Sequence, residues 1–233
     1  MRILVLNPNT TASMPEKIGA AARRVASAGT EIVAMNSANG PASIEGFYDE
    51  AMSLAGMLAV IRNTPDFDAV VIACFDDTGL DAARCLTDKP VIGIGEAAYH
   101  MASMISNKFS VVTTLARSVP ALEHNLHRYG LIARCARVRS SEVAVLELEH
   151  PGSDACNRIS AEIGRAVAED RAEAIVLGCA GMADLADTLA KEHGLPVLDG
   201  VVCAIGLAEA MVKLQLFTSR RGGYSPPPAH KVI

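Results

Sequence analysis

The sequence has no tryptophan and few other aromatic residues, which make up 4% of its 233 positions. Proteins that hold single-stranded nucleic acid stack its bases on aromatic side chains, and this chain offers few such rings. The sequence also has no long run of lysine and arginine, and its net charge is −5 at pH 7. A negative chain does not attract the phosphate backbone of nucleic acid. These absences argue against nucleic acid as a partner.

Membrane and export signals are lacking as well. No apolar stretch is long enough and sufficiently free of polar residues to span a bilayer. The N-terminal apolar run is short and stops at Asn7, so it does not resemble a signal peptide. We therefore expect a cytoplasmic protein with no membrane partner.

Motifs for metals and nucleotide cofactors are also missing. None of the six cysteines forms a CxxC pair or has a histidine at metal-ligand spacing. The sequence contains no GxGxxG motif and no P-loop lysine. We expect no metal and no cofactor, and we expect the cysteines to be free thiols, most of them packed as small hydrophobic residues.

Half of the residues are hydrophobic, and they fall into short runs that alternate with helical patterns. Short continuous apolar runs are typical of strands buried in parallel sheets. We predict strands at 3–6, 32–35, 69–73, 90–94, 109–113, 136–139, 174–178 and 196–198. We predict helices at about 13–27, around 52–59, up to 86, at 96–106, from 118, and at 157–168, 182–190 and 201–216. This alternation predicts an α/β fold with parallel sheets and right-handed crossovers.

Two details of these helices are specific enough to test. The first helix opens with Ser13-Met-Pro-Glu16, which has the form of a capping box with proline in the first turn. We therefore expect the Ser13 hydroxyl to cap this helix. The second helix carries the apolar positions Met52, Ala55, Leu58 and Ala59 at helical spacing.

The two halves of the chain match each other at an offset of 105 residues, the separation of Cys74 and Cys179. The apolar run 69–73 then falls on 174–178, and Asn9 falls on Thr114. The match predicts two related lobes, each of which presents a cysteine at the end of a buried strand. Two equivalent cysteines facing one cleft can take a proton from one face of a carbon and return one to the other. This arrangement is typical of racemisation or epimerisation.

Ligands bind beyond the carboxyl ends of the strands in open parallel sheets. Polar segments lie at four such ends, namely 7–11, 74–78, 113–114 and 179–182, and two facing lobes would bring all four into one pocket. Asp76, Asp77 and Thr78 are candidate caps of the helix that follows Cys74. The positive end of a helix dipole favours negative charge, so we expect each helix to lower the pKa of its thiol. Its free N–H groups are also suited to stabilising an enolate.

Several roles for these residues stay open at this point. A nucleophilic cysteine needs a base such as histidine, and none of the six histidines lies at a predicted strand end. A pair of cysteines is therefore favoured over a cysteine–histidine couple. The cysteines could also merely pack between the lobes, and Asn9, Thr113 and Thr114 could merely satisfy the backbone.

Five segments together resemble hydantoin racemases, which belong to the aspartate/glutamate racemase superfamily and have allantoin racemase as a close relative. The segments are NPNTT at 7–11, GPASIEG at 40–46, CFDDTGL at 74–80, VVTT at 111–114 and GCAGM at 178–182. The resemblance implies two pseudo-symmetric lobes, each with a central parallel sheet flanked by helices, and an active site in the cleft between them. It also implies homo-oligomers and a C-terminal helix that returns to the first lobe. We thus expect a first lobe of residues 1–98 plus 206–233 and a second lobe of residues 99–205.

The activity implied by the resemblance is a cofactor-independent racemisation at two catalytic cysteines, which here are Cys74 and Cys179. The expected substrate is a 5-substituted hydantoin or a related cyclic ureide such as allantoin. The expected substrate contacts are Asn9, Ser43, Ile44, Phe75, Asp76, Thr113, Thr114, Ala180 and Gly181. The sequence departs from the family motif at two positions, since Asp76 replaces a glycine and Thr78 a proline. A carboxylate at position 76 opposes the ionisation of Cys74.

Two alternative functions compete with racemisation of a cyclic ureide. In aspartate and glutamate racemases the cysteines precede polar residues that bind a free α-carboxylate, whereas here Phe75 and Ala180 are apolar. A two-lobed small-molecule binding protein without turnover is an alternative of another class. The presence of both cysteines argues against it, and also against a single-cysteine decarboxylase or isomerase.

Overall fold

Two four-stranded parallel sheets form the framework of the protein in the computed structural model, which describes residues 1–150 and 152–228. The strands of the first sheet are β1 (Arg2–Asn7), β2 (Glu31–Asn36), β3 (Ala69–Ile72) and β4 (Val91–Gly93). Those of the second sheet are β5 (Phe109–Thr113), β6 (Cys135–Ser140), β7 (Ala174–Leu177) and β8 (Val197–Asp199). The strand orders β2-β1-β3-β4 and β6-β5-β7-β8 are equivalent. The predicted strands and the structural repeat are both confirmed.

Helices connect the strands and cover both faces of each sheet. The helices are α1 (Met14–Val25), α2 (Phe47–Asn63), α3 (Leu80–Leu86), α4 (Ile94–Ile105), α5 (Val119–Arg128), α6 (Ala155–Asp170), α7 (Ala186–His193) and α8 (Gly200–Lys213). Within the described ranges, no helix has both the length and the apolar character that a membrane span requires.

One apolar core runs between the two sheets. Successive residues of a strand point to opposite faces, so Ile3 and Val5 of β1 face this core while Leu4 and Leu6 pack beneath α2 and α3. Phe109 and Val111 of β5 enter the same core from the second sheet. The α/β fold of two facing lobes thus follows from strands that are buried on both sides.

Two helices cross from one sheet to the other. The helix α4 packs on β7 and β8 as well as on β4, and α8 packs on β3 and β4 as well as on β8. The expected lobe boundaries, after residues 98 and 205, fall within these two helices. The division into lobes therefore remains our proposal, and residues 229–233 of its first lobe lie outside the described residues.

The predicted cap of α1 is wrong. The Ser13 hydroxyl makes no capping hydrogen bond and instead donates to the Glu149 carboxylate of the other lobe at 2.6 Å. Ser13 has helical backbone angles, which direct its side chain away from the free N–H groups of the first turn. The hydrogen bond to Glu149 between the lobes thus takes the place of the expected cap within the helix.

Of the four apolar positions noted in α2, Leu58 packs on the core beneath this helix. The buried residues of this helix are Ser53, Met57 and Ile61, whereas 55% of the Met52 surface is exposed. Apolar residues occur on most sides of α2, so spacing alone did not identify the side that packs on the sheet.

The carboxylate of Asp77 joins the two lobes. It was a candidate cap of α3, but α3 begins at Leu80 behind Gly79 and has no side-chain cap. Instead, Asp77 accepts hydrogen bonds from the N–H groups of Gly95 at 2.9 Å and Glu96 at 2.7 Å, in the first turn of α4. It also accepts one from the hydroxyl of Tyr129, which follows α5, at 2.7 Å. Asp77 therefore caps a different helix and fixes the turn after Cys74 against the second lobe.

We expect Asp77→Asn to lower the free energy of unfolding by about 1–3 kcal/mol. Both carboxylate oxygens of Asp77 accept hydrogen bonds, so the NH₂ group of an asparagine would point at a donor and leave it without an acceptor. Tyr129→Phe removes one of the three donors and should cost about 0.5–1.5 kcal/mol. Urea denaturation followed by circular dichroism measures both changes. Asp187→Asn, at an exposed carboxylate, is the matched control. If the urea midpoint of Asp77→Asn equals that of the control, the hydrogen bonds of Asp77 do not stabilise the contact between the lobes.

Candidate active site

Cys74 and Cys179 lie just beyond the carboxyl ends of equivalent central strands. Cys74 comes after β3, and Cys179 comes after β7 and begins a short 3-10 turn, Ala180–Met182. Both residues line one cavity of about 30 Å³, which is room for a water molecule or two. The structure therefore brings together the two cysteines that the repeat relates.

Most of the predicted substrate contacts line the same cavity, namely Asn9, Ile44, Phe75, Asp76, Thr113, Thr114 and Ala180. Ser43 and Gly181 do not line it. Ser43 is half-buried beside Ile44, and Gly181 lies against Cys179, where a Cβ atom would be 3.6 Å from the sulfur. The role of each of these residues towards a substrate stays a prediction.

Further residues line the cavity beyond the predicted substrate contacts, namely Asn7, Met14, Ala73, Ser118, Val145 and Gly178. Of these, Asn7 belongs to the strand-end segment 7–11 that was expected to reach this pocket. The sequence could have indicated Ser118, because the repeat matches it to Ser13 and so to the segment after β1. Val145 had no such indication. It begins a 3-10 turn, Val145–Glu149, in a segment where no helix or strand was predicted.

Both thiols have a raised pKa, contrary to the expectation from the helix dipole. Burial raises the pKa of Cys74 well above its ordinary value and that of Cys179 to about 12. Hydrogen bonds lower these pKa values but do not offset burial. The Cys74 sulfur has the N–H of Asp76 and the hydroxyl of Thr78, at 3.4 Å, and the Cys179 sulfur has the N–H of Gly181. The expectation fails because α3 and α7 begin several residues after the cysteines, and a dipole acts only near the first turn.

Asp76 adds negative charge to this pocket. Its charge raises the pKa of both thiols, as expected for a carboxylate so close to them. Burial, and then the charges of Glu50 and Asp77, raise the pKa of Asp76 itself to about 7. Asp76 can therefore change its charge near neutral pH beside the two cysteines.

The hydroxyl and amide groups of the cavity differ in what they can still bind. Thr113 donates its hydroxyl proton to the carbonyl of Gly178 at 2.9 Å, so this donor is already used. The Asn9 side-chain oxygen accepts from Asn7 and from the N–H of Thr11. The NH₂ group of Asn9 contacts only the Met14 sulfur, at 3.2 Å, which is a weak acceptor. The Asn9 NH₂ group can thus donate to a ligand oxygen.

Contacts between the lobes close the cavity on one side. Glu45, next to Ile44, accepts from the N–H of Val145 at 2.8 Å. Glu149 accepts from Ser13 and lies 3.8 Å from the ammonium group of Lys17. These contacts join α1 and the 40–46 loop to the 3-10 turn of the second lobe. Because the cavity is too small for a substituted ring, we expect them to open when a ligand enters.

The described ranges contain no group of three or more histidine, cysteine, aspartate or glutamate residues arranged to hold a metal ion.

The fold and the site define a class of two-lobed α/β proteins in which two thiols face one cleft. The family model for Asp/Glu/Hydantoin racemase matches residues 3–208. Similar proteins include the hydantoin racemase of Pseudomonas sp. (strain NS671), 46% identical over all of this chain and 94% of its own length. That of Rhizobium meliloti is 49% identical over 97% of this chain and 95% of its own length.

Solved structures agree with these relatives. The allantoin racemase from Klebsiella pneumoniae has a TM-score of 0.95 and 47% identity, over 97% of this chain and 94% of that chain. The glutamate racemase from Campylobacter jejuni subsp. jejuni has a TM-score of 0.61 and 14% identity, over 95% of this chain and 89% of that chain. The latter likeness concerns the fold alone. The chain belongs to the Asp/Glu/Hydantoin racemase family, and it is an isomerase of the racemase type.

The contacts that close the cavity should limit access to its cysteines. We expect Glu45→Ala and Glu149→Ala to make alkylation of Cys74 and Cys179 about 5–30-fold faster, because loss of 1–2 kcal/mol of closing energy raises the open population by that factor. Peptide mass spectrometry after timed treatment with iodoacetamide measures each cysteine separately. Asp187→Asn, which breaks the exposed pair of Arg24 and Asp187 between the same lobes, is the control. Equal rates in all variants would show that these contacts do not control access.

Proposed function

We propose that the protein racemises 5-substituted hydantoins, or a related cyclic ureide such as allantoin, without a cofactor. The observation that carries this proposal is the position of Cys74 and Cys179, which stand at repeat-equivalent strand ends and line one cavity. Similarity to proteins named hydantoin racemase and allantoin racemase supports the choice of substrate.

In this proposal the ring carbon C5 lies between the two sulfurs. One cysteine, as thiolate, removes the C5 proton, and the electron pair of the broken C–H bond moves into the adjacent carbonyl to form an enolate. The other cysteine, as thiol, protonates C5 from the opposite face and becomes the thiolate. The two residues exchange roles for the reverse reaction, so no net charge is gained or lost.

The surroundings of the cysteines suit the enolate. Its oxygen carries the negative charge, and hydrogen-bond donors aimed at that charge lower the barrier. The Asn9 NH₂ group has only a weak acceptor and lines the cavity. The thiol that donates the second proton benefits from its raised pKa, because it stays protonated at neutral pH.

The alternatives receive less support. Phe75 and Ala180, which follow the cysteines, are apolar and buried, so they do not offer the polar groups that a free α-carboxylate requires. A binding protein without turnover does not need two thiols on one cavity, and a single-cysteine enzyme needs only one of them.

We further propose a cytoplasmic homo-oligomer that takes small molecules rather than nucleic acid. The exposed apolar side chains of Phe47, Tyr48 and Met52 on α2 are compatible with a subunit contact.

Each cysteine should serve one enantiomer. Cys74→Ser and Cys179→Ser should each reduce racemisation by about 10²–10⁴-fold, because serine is not a competent base at neutral pH. Each variant can still exchange the C5 proton of one enantiomer for deuterium at the remaining cysteine, and we expect opposite enantiomers for the two variants. NMR of both pure enantiomers in heavy water measures this. If either variant racemises at the wild-type rate, or both exchange the same enantiomer, the paired mechanism is wrong.

The pH dependence should follow the thiolate. Below a raised thiol pKa, the thiolate fraction grows about tenfold per pH unit, so kcat/KM should rise from pH 6 to 9. Ionisation of Asp76 near pH 7 adds charge that opposes the thiolate, which flattens this rise. Asp76→Asn should therefore move the rise of kcat/KM to lower pH. Polarimetry at constant ionic strength gives both profiles, and superimposable curves would exclude this coupling.

A further inference from the structure

Asp76 lines the cavity and carries a buried hydrogen-bond acceptor that is not used. Its side chain is only 8% exposed, and its Oδ2 atom has no hydrogen-bond partner. Among the buried side-chain oxygens that lack a partner in the described ranges, this is the one on a residue that lines the cavity with both cysteines. A buried acceptor without a partner costs about 1–3 kcal/mol, and more when it is charged.

The neighbouring Asp77 shows what this turn does with a carboxylate that it uses structurally. Asp77 accepts from Gly95, Glu96 and Tyr129. Asp76 comes next to it in the same turn, but within the described ranges its hydrogen bonds are made by the main chain: the carbonyl accepts from the Asn125 amide at 2.8 Å, and the N–H donates to the Cys74 sulfur. The Asp76 carboxylate is therefore not needed to hold the turn.

The charges around Asp76 indicate what its missing partner is. The nearby charged groups that act on it are the carboxylates of Glu50 and Asp77, and both disfavour its ionised form. A further acceptor or anion would add to this repulsion, whereas an N–H donor would relieve it. The partner that fits Oδ2 is thus a hydrogen-bond donor on the ligand.

We propose that Asp76 determines substrate specificity by accepting hydrogen bonds from N–H groups on the C5 substituent of the substrate. The preferred substrates then carry a donor-bearing substituent, such as a ureido group, instead of an alkyl or aryl group. This inference rests on the proposed racemase function. A contact with the substituent, unlike one with the ring, also keeps the negative carboxylate away from the charge that develops on the enolate.

Two substrates isolate this contact. Allantoin carries a ureido group at C5, and 5-isobutylhydantoin carries a substituent with the same number and branching of heavy atoms but no donor. A site built to bind a donor strongly rejects the analogue that lacks it, because its own polar group is left unpaired. The wild-type protein should favour allantoin in kcat/KM by about 10²-fold or more.

Substitution of Asp76 should change this preference. Asp76→Ala should reduce the kcat/KM ratio of allantoin to 5-isobutylhydantoin by at least about tenfold, the effect of one lost hydrogen bond to a charged group. Asp76→Asn, which keeps an acceptor but not the charge, should give an intermediate ratio. Neither variant should melt below the wild type, because the carboxylate has no partner to lose.

Asp187→Asn is the matched control. Asp187 is an exposed carboxylate that does not line the cavity and does not act on the pKa of Asp76, so its removal should leave the ratio unchanged. An unchanged ratio in Asp76→Ala, or an equal loss on both substrates, would overturn the proposal, since the residue would then act on the ring or on the cysteines. The proposed function fails separately, if the wild-type protein racemises neither substrate.

Discussion

The hydrogen bonds of one buried carboxylate fix the geometry of the whole site. Asp77 binds the first turn of α4 and the hydroxyl of Tyr129, so it attaches the turn after Cys74 to both lobes at once. Burial raises the pKa of Asp77 to about 7, a sign that this attachment is made at an electrostatic cost. Without a fixed turn the sulfur of Cys74 could not keep its place opposite that of Cys179. The apolar core between the sheets holds the two lobes in place, so that the hydrogen bonds of Asp77 can form.

A second constraint is that enclosing the cavity has opposite effects on the enolate and on the ionisation of the two thiols. An enclosed cavity excludes water and strengthens the hydrogen bonds that stabilise an enolate. The same enclosure disfavours the thiolate that starts the proposed reaction, and Asp76 adds to this effect. The N–H groups of Asp76 and Gly181 reduce the penalty for each sulfur. The proposed mechanism needs one thiol and one thiolate at any moment, so a raised pKa hinders the base but helps the acid.

The sequence allowed the sheets and the cysteine pair to be predicted, because those rest on local apolar runs and on a repeat. A strand such as β7 is apolar on both faces, and this pattern is typical of the central strands of a parallel sheet. Contacts between distant residues could not be predicted in this way. Ser13 has the local pattern of a cap but binds Glu149, and Asp77 caps α4 instead of α3. Val145 lines the cavity from a segment where no helix or strand was predicted. The raised thiol pKa values depend on burial, which is a property of the assembled lobes.

In the proposed reaction, two different cysteines exchange protons with C5 of the ring. Initial-rate racemisation of one pure enantiomer by the wild-type protein in heavy water tests it most directly. With two bases, the proton removed by one thiolate is not the one delivered by the other thiol. The first product formed should therefore carry deuterium at C5 while the remaining substrate keeps its proton. Product that retains the original proton would mean that a single group carries it from one face to the other, and would contradict the account.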